Sequence, residues 1–102
     1  MTMKIKKRPP IHPGEILKDE FEEIGMSANA VALALRIPAN RLTEIINGKR
    51  SITADTAMRL GRFFGTSAQM WMNLQSRYEL EVAEDRLAER IDREVQPLRK
   101  AS

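Results

Sequence analysis

The chain has 102 residues, 42% of them hydrophobic, with 17 Lys and Arg against 14 Asp and Glu for a net charge of +3. That length suits one domain with a small aliphatic core, and the apolar share is too high for a disordered chain. The absence of cysteine and the single histidine exclude disulfides, cysteine nucleophiles and zinc sites. With no apolar run near the roughly 20 residues of a membrane span and no signal-peptide pattern, a cytoplasmic protein without membrane partner, cofactor or enzymatic activity is expected.

Every periodic segment reads as helix, and a stop signal separates each from the next. The first helix runs from Pro13 to about Ile24. Pro13 sits at the first helical position, Glu15 suits the positive end of the helix, and Leu17, Phe21 and Ile24 share a face. His12 caps or precedes it, and no nucleophile or metal set accompanies the His12–Glu15 pair. Ser27 caps a second helix to about Leu35, with Ala28, Val31, Ala32 and Leu35 on its apolar face and Leu33 pointing outward. The third helix runs from Pro38 to near Asn47, with Gly48 available for a left-handed cap. The fourth follows Thr53 and carries Ala57, Leu60, Phe63 and Phe64. The fifth follows Ser67 and continues to about Val95 before Pro97 ends it.

Only Arg36 and Ile37 separate the second and third helices, so these two must cross steeply, as in a helix-turn-helix. The small residues Ala30, Ala32 and Ala34 permit close approach. At 100° per residue the third helix has two faces. Leu42, Ile45 and Ile46 cluster on one; Asn40, Thr43, Glu44 and Asn47 lie on the other, with Arg41 on the flank. Asn, Arg, Thr and Glu are all base-edge readers, which makes Asn40, Arg41, Thr43 and Glu44 the candidate base-facing set. Gly48-Lys49-Arg50 follows at once and offers two cations and free amides. Ser27, Asn47, Lys49 and Arg50 are the candidate phosphate contacts.

Charge is segregated along the chain. Lys4, Lys6, Lys7 and Arg8 stand in a basic arm without acids. Glu15, Asp19, Glu20, Glu22 and Glu23 face only Lys18 in the next segment. Residues 36–66 are basic again. Segregation of this kind marks an electrostatic footprint as well as a solvated surface.

These residues resemble the Cro/C1-type (XRE) helix-turn-helix family, and more narrowly the HigA-type antitoxins of bacterial toxin–antitoxin modules. The resemblance rests on Ile11-His12-Pro13-Gly14-Glu15-Ile16-Leu17, Pro38 through Asn47-Gly48-Lys49-Arg50, and Ile52-Thr53-Ala54-Asp55-Thr56-Ala57-Met58-Arg59-Leu60. Gly65-Thr66-Ser67 and Trp71-Met72-Asn73-Leu74-Gln75 complete it, in an ordered series over residues 11–78. It implies an all-α fold: a five-helix Cro/C1-type, lambda-repressor-like domain with an extended C-terminal helix. It further implies a homodimer that binds a palindromic double-stranded DNA operator and holds a ribonuclease toxin of the HigB type inactive. Asn40, Arg41, Thr43 and Glu44 match the family's base-facing positions, and Lys49 and Arg50 its phosphate-facing loop. Arg36 departs from the Gly often found in the family's turn, at a cost of roughly 1 kcal/mol if the turn is left-handed. Ala28 lacks the side chain for a phosphate bond often made there.

The expected organisation is a basic arm over residues 1–12, a DNA-binding domain over 13–80, and a helical extension and tail over 81–102. Trp71, Leu74 and Tyr78, spaced i, i+3, i+7, are expected to pack the fifth helix on the first and fourth. Beyond them Leu87, Ile91, Val95 and Leu98 form a second apolar stripe, expected to hold the dimer. The alternative dimer interface lies near Met70 and Trp71. Glu15, Asp19, Glu22 and Glu23 are candidate contacts for a basic toxin. The competing functions are a stand-alone Cro/C1-type repressor without a toxin and a helical protein-interaction adaptor that does not bind DNA.

Overall fold

The N-terminal boundaries of the helices follow from their capping residues. In the computed structural model, which describes residues 8–99, α1 (Pro13–Ile24) opens at His12, whose Nδ1 accepts the Gly14 N–H at 2.9 Å. Glu15 Oε2 accepts the His12 N–H at 3.0 Å, so two otherwise unpaired amides are satisfied reciprocally. Ser27 Oγ accepts from Ala30 N–H at the start of α2 (Ala28–Leu35). α3 (Ala39–Ile46) follows Pro38 without a side-chain cap. Thr53 and Ser67 cap α4 (Ala54–Phe64) and α5 (Ala68–Glu94). All five helices stand where the sequence placed them.

The turn between α2 and α3 is left-handed at Arg36, with φ 61° and ψ 41°. Arg36 therefore adopts a conformation that glycine takes most readily. The Arg36 N–H donates to the Leu33 carbonyl and the Ile37 N–H to the Ala32 carbonyl, while the Ile37 side chain is buried. These bonds and this burial offset the strain. Of the three small residues on α2, Ala32 alone is buried in the contact; Ala34 is exposed.

Leu17 and Phe21 of α1, Val31, Ala32 and Leu35 of α2, Leu42 and Ile45 of α3, Ala57 and Leu60 of α4, and Trp71 of α5 form one core, joined by Ile37 and Ile52 from the loops. Ile24, expected on the buried face of α1, is 41% exposed, because the chain turns away at Gly25 one residue later. α4 packs chiefly on α5, and α3 packs on both α1 and α2. Trp71 is 2% exposed, and its Nε1–H donates to Thr66 Oγ1 at 2.9 Å. This corrects its alternative assignment to a dimer interface: an indole inside its own core leaves no surface for a second chain. Of that pair only Met70 faces outward.

α5 continues unbroken for 27 residues, far past the core. Its second half draws the molecule out to 57 Å in its longest dimension. Leu87, Ile91 and Val95 are exposed there, and Leu80, 61% exposed, lies on the same helical face. The sequence reading did not include Leu80 in the stripe.

Candidate nucleic-acid interface

Asn40, Thr43 and the C-cap Asn47 lie exposed along one face of α3, with Glu44 and then Arg41, both half-buried, to one side of that line. The opposite side of the helix carries Leu42 and Ile45, both wholly inside the core. The helix is thus fixed from beneath and offers amides and a hydroxyl to its surroundings. Thr43 Oγ1 donates to the Ala39 carbonyl at 3.0 Å, which leaves the oxygen lone pairs free to accept.

Each arginine near this face is anchored. Arg41 Nη1 lies 4.0 Å from Asp55 Oδ1. The same carboxylate oxygen accepts from Arg59 Nε at 2.5 Å, and Arg59 Nη1 donates to the Leu35 carbonyl at 3.0 Å. A guanidinium at the C-terminal end of α2 is favoured by the helix dipole and satisfies one of its last carbonyls. Arg50 Nη2 and Nε lie 2.7 Å and 2.9 Å from Glu44 Oε1. Lys49 is exposed and joins no ion pair among the described residues.

The loop that carries Lys49 and Arg50 is bound to the end of α3 through its backbone. Two of the loop amides expected to be free are taken up: Gly48 N–H donates to the Ile45 carbonyl and Lys49 N–H to the Glu44 carbonyl, closing the end of α3. From below, α5 supports the loop at two points. Gln75, almost fully buried, accepts the Ile52 N–H on Oε1 at 2.8 Å and donates from Nε2 to Glu79 Oε2 at 2.8 Å. The Tyr78 ring meets His12 edge-on, with centroids 4.8 Å apart, and His12 lies beneath Gly48. Burial lowers the His12 pKa below its ordinary value; the neighbouring Glu15 carboxylate acts in the opposite direction.

The sequence reading placed Asn40, Arg41, Thr43, Glu44, Asn47, Lys49 and Arg50 together, and they do form one surface. Ser27 Oγ accepts as the cap of α2, and its hydroxyl can still donate. Gln75 and the His12–Tyr78 contact were missed. The one available signal was a lone amide at position 75, one helical turn from Trp71 on the buried side of α5. Asp19, Glu22 and Glu23 are exposed on α1, whereas Glu15 is partly committed to the His12 cap. Lys4, Lys6 and Lys7 lie outside the described residues. Among the described residues no cluster of His, Cys, Asp or Glu could hold a metal ion, and no helix is long and apolar enough to cross a membrane.

The helix-turn-helix family matches residues 17–71. A HigA-family addiction module antidote protein from Coxiella burnetii is 51% identical, with a TM-score of 0.87 over 89% of this chain and all of that one. The structure of the Pseudomonas aeruginosa antitoxin HigA with the higBA promoter is 49% identical, with a TM-score of 0.85 over 88% of this chain and 99% of that one. Virulence-associated protein I of Dichelobacter nodosus is 52% identical over 77 residues, 74% of this chain and 71% of the relative. The five helices, the helix-turn-helix at residues 28–46 and these likenesses agree: the chain belongs to the helix-turn-helix family and, within it, to the HigA family of antitoxins.

Proposed function

We propose that this antitoxin binds, as a homodimer, a two-fold symmetric operator in its own promoter and that it neutralises a ribonuclease toxin by direct contact. The observation that carries the DNA reading is the uncharged line of Asn40, Thr43 and Asn47, held outward on a helix whose other side is core, with Lys49 and Arg50 at its end. Such a helix fits the major groove: the Asn40 amide and the Thr43 methyl meet base edges, while Arg41 flanks them. Lys49, Arg50, Asn47 and the Ser27 hydroxyl at the start of α2 serve phosphates, which set register. The HigA structure bearing its promoter supports this reading.

A dimer places two copies of α3 in successive grooves about 34 Å apart. Leu80, Leu87, Ile91 and Val95 supply an apolar face suited to a second copy of α5. For the toxin, the exposed carboxylates of Asp19, Glu22 and Glu23 suit a basic nucleic-acid-cleaving partner.

Two measurements test the proposal. Fluorescence anisotropy with a duplex from the promoter of its own gene should show tight binding that falls steeply with salt. Co-expression with the neighbouring open reading frame should yield a complex in which RNA cleavage is suppressed. DNA binding without any such complex would make the protein a stand-alone repressor. Complex formation without DNA binding would make it an interaction adaptor.

A further inference from the structure

Glu44 stands among the groove-facing residues of α3, where a carboxylate can accept a hydrogen bond from cytosine N4. Its surroundings point elsewhere. Nε and Nη2 of Arg50 both converge on Glu44 Oε1, at 2.9 Å and 2.7 Å. Exposed ion pairs add little to stability, and the loop needs none here. Its path is already set by the Gly48 and Lys49 amides bonded to the end of α3, and by His12 beneath Gly48. The pair instead decides where the guanidinium sits and how much charge the helix presents. A bare carboxylate beside two phosphate strands is repelled. One covered by Arg50 is not, and Arg50 keeps its two Nη1 protons for a phosphate oxygen.

We propose that Glu44 is a positioning residue for Arg50 and does not read a base. It holds the guanidinium at the C-terminal end of α3 with Nη1 free, and its own charge is cancelled in the process. Sequence is then read by the neutral residues of the helix and by Arg41. This inference rests on the operator reading above.

The test uses the full-length protein, Glu44→Gln, Arg50→Ala and the double variant. Sites are selected from a randomised duplex pool with the wild type and with Glu44→Gln, and the affinity of all four proteins for the selected duplex is measured. The two selections should yield the same site, with no position losing its base preference. Arg50→Ala should weaken binding by more than about tenfold in the wild type, where it leaves Glu44 unpaired before the phosphates, but by less than about threefold beside Glu44→Gln. Arg50 is exposed and Glu44 half-buried, and matched melting curves establish that each variant is folded. Preference lost at one base pair per half-site, or additive losses in the double variant, overturns the proposal while leaving the operator reading intact. A wild-type protein that selects no duplex overturns the operator reading, and this inference with it.

Discussion

Gly14 in the first turn of α1 lies directly against the Ile45 carbonyl near the end of α3: a Cβ at position 14 would stand 1.9 Å from that oxygen. The contact is backbone to backbone, so no side-chain movement can relieve it. It fixes the depth at which the recognition helix sits against the domain.

Gly14→Ala should accordingly destabilise the fold by about 1–3 kcal/mol, the usual range for overpacking a filled core. The urea midpoint should fall without a change in slope. Operator affinity should drop even where the variant is fully folded, because α3 must shift to admit the methyl group. A stable variant with wild-type DNA affinity would mean that α1 and α3 slide freely past one another.

His12 makes stability depend on pH in a direction that follows from its lowered pKa. At pH well above 6.5 the imidazole is neutral in both the folded and unfolded chain, and its cap of Gly14 is intact. As pH falls through 6.5 the unfolded chain takes up the proton first, so stability declines. The decline levels off once pH passes the lower folded value. Urea denaturation between about pH 8 and pH 5 should show this slope, and His12→Asn, which caps without titrating, should remove it.

Lys49→Ala should weaken specific and non-specific duplex binding alike. If Lys49 neutralises one phosphate in each subunit, the slope of log K against log salt flattens by about 2. Asn40→Ala should differ in kind. It should relax preference at one base pair per half-site by about 1–3 kcal/mol and leave the salt slope unchanged. Identical salt slopes for Lys49→Ala and the wild type would remove the phosphate contact assigned to the loop.

Truncation after Arg86 removes Leu87, Ile91 and Val95 but none of the buried core. Light scattering should then report a monomer, while circular dichroism retains a cooperative melt. Leu80→Asp combined with Leu87→Asp should have the same effect in the full chain. A dimer that survives both changes uses another face, with exposed Met70 the first place to look.

Replacing Glu22 and Glu23 with Lys reverses two exposed charges on α1, remote from α3 in sequence and absent from the core. Toxin affinity should fall, most strongly at low salt, and operator affinity should stay within about twofold. Unchanged toxin affinity would show that charge on this helix does not guide the encounter.

The helices were legible because their signals are local. Ser27, Thr53 and Ser67 each cap within three residues, and Gly25 and Gly65 end α1 and α4 in the left-handed conformation. The outward face of α3 was legible for the same reason, since period and side-chain chemistry fix it together. Ile24 was misplaced because a helical wheel does not know where the chain will leave the core. The supports of the loop were not legible at all. Gln75 bonds an amide 23 positions earlier in the chain, and Tyr78 meets His12 across more than sixty. Nothing in local periodicity carries that information. The Glu44–Arg50 pair crosses the left-handed Gly48, and no helical spacing rule covers a pair that bridges a helix end.

The uninterrupted α5 also has a mechanical meaning. Gln75, which supports the DNA-facing loop, and Ile91, near the outer end of the apolar stripe, are separated along one helix by about 24 Å at 1.5 Å per residue. With no break between them, the rod acts as a lever. A second chain or another partner that tilts the stripe by about 10° swings the loop end by about 4 Å, since displacement scales with arm length. That is on the order of the 3.4 Å rise of one base pair in the 10-base-pair, 34 Å turn that separates two recognition helices. A rotation imposed on the stripe is therefore felt as a displacement of the loop that Gln75 supports.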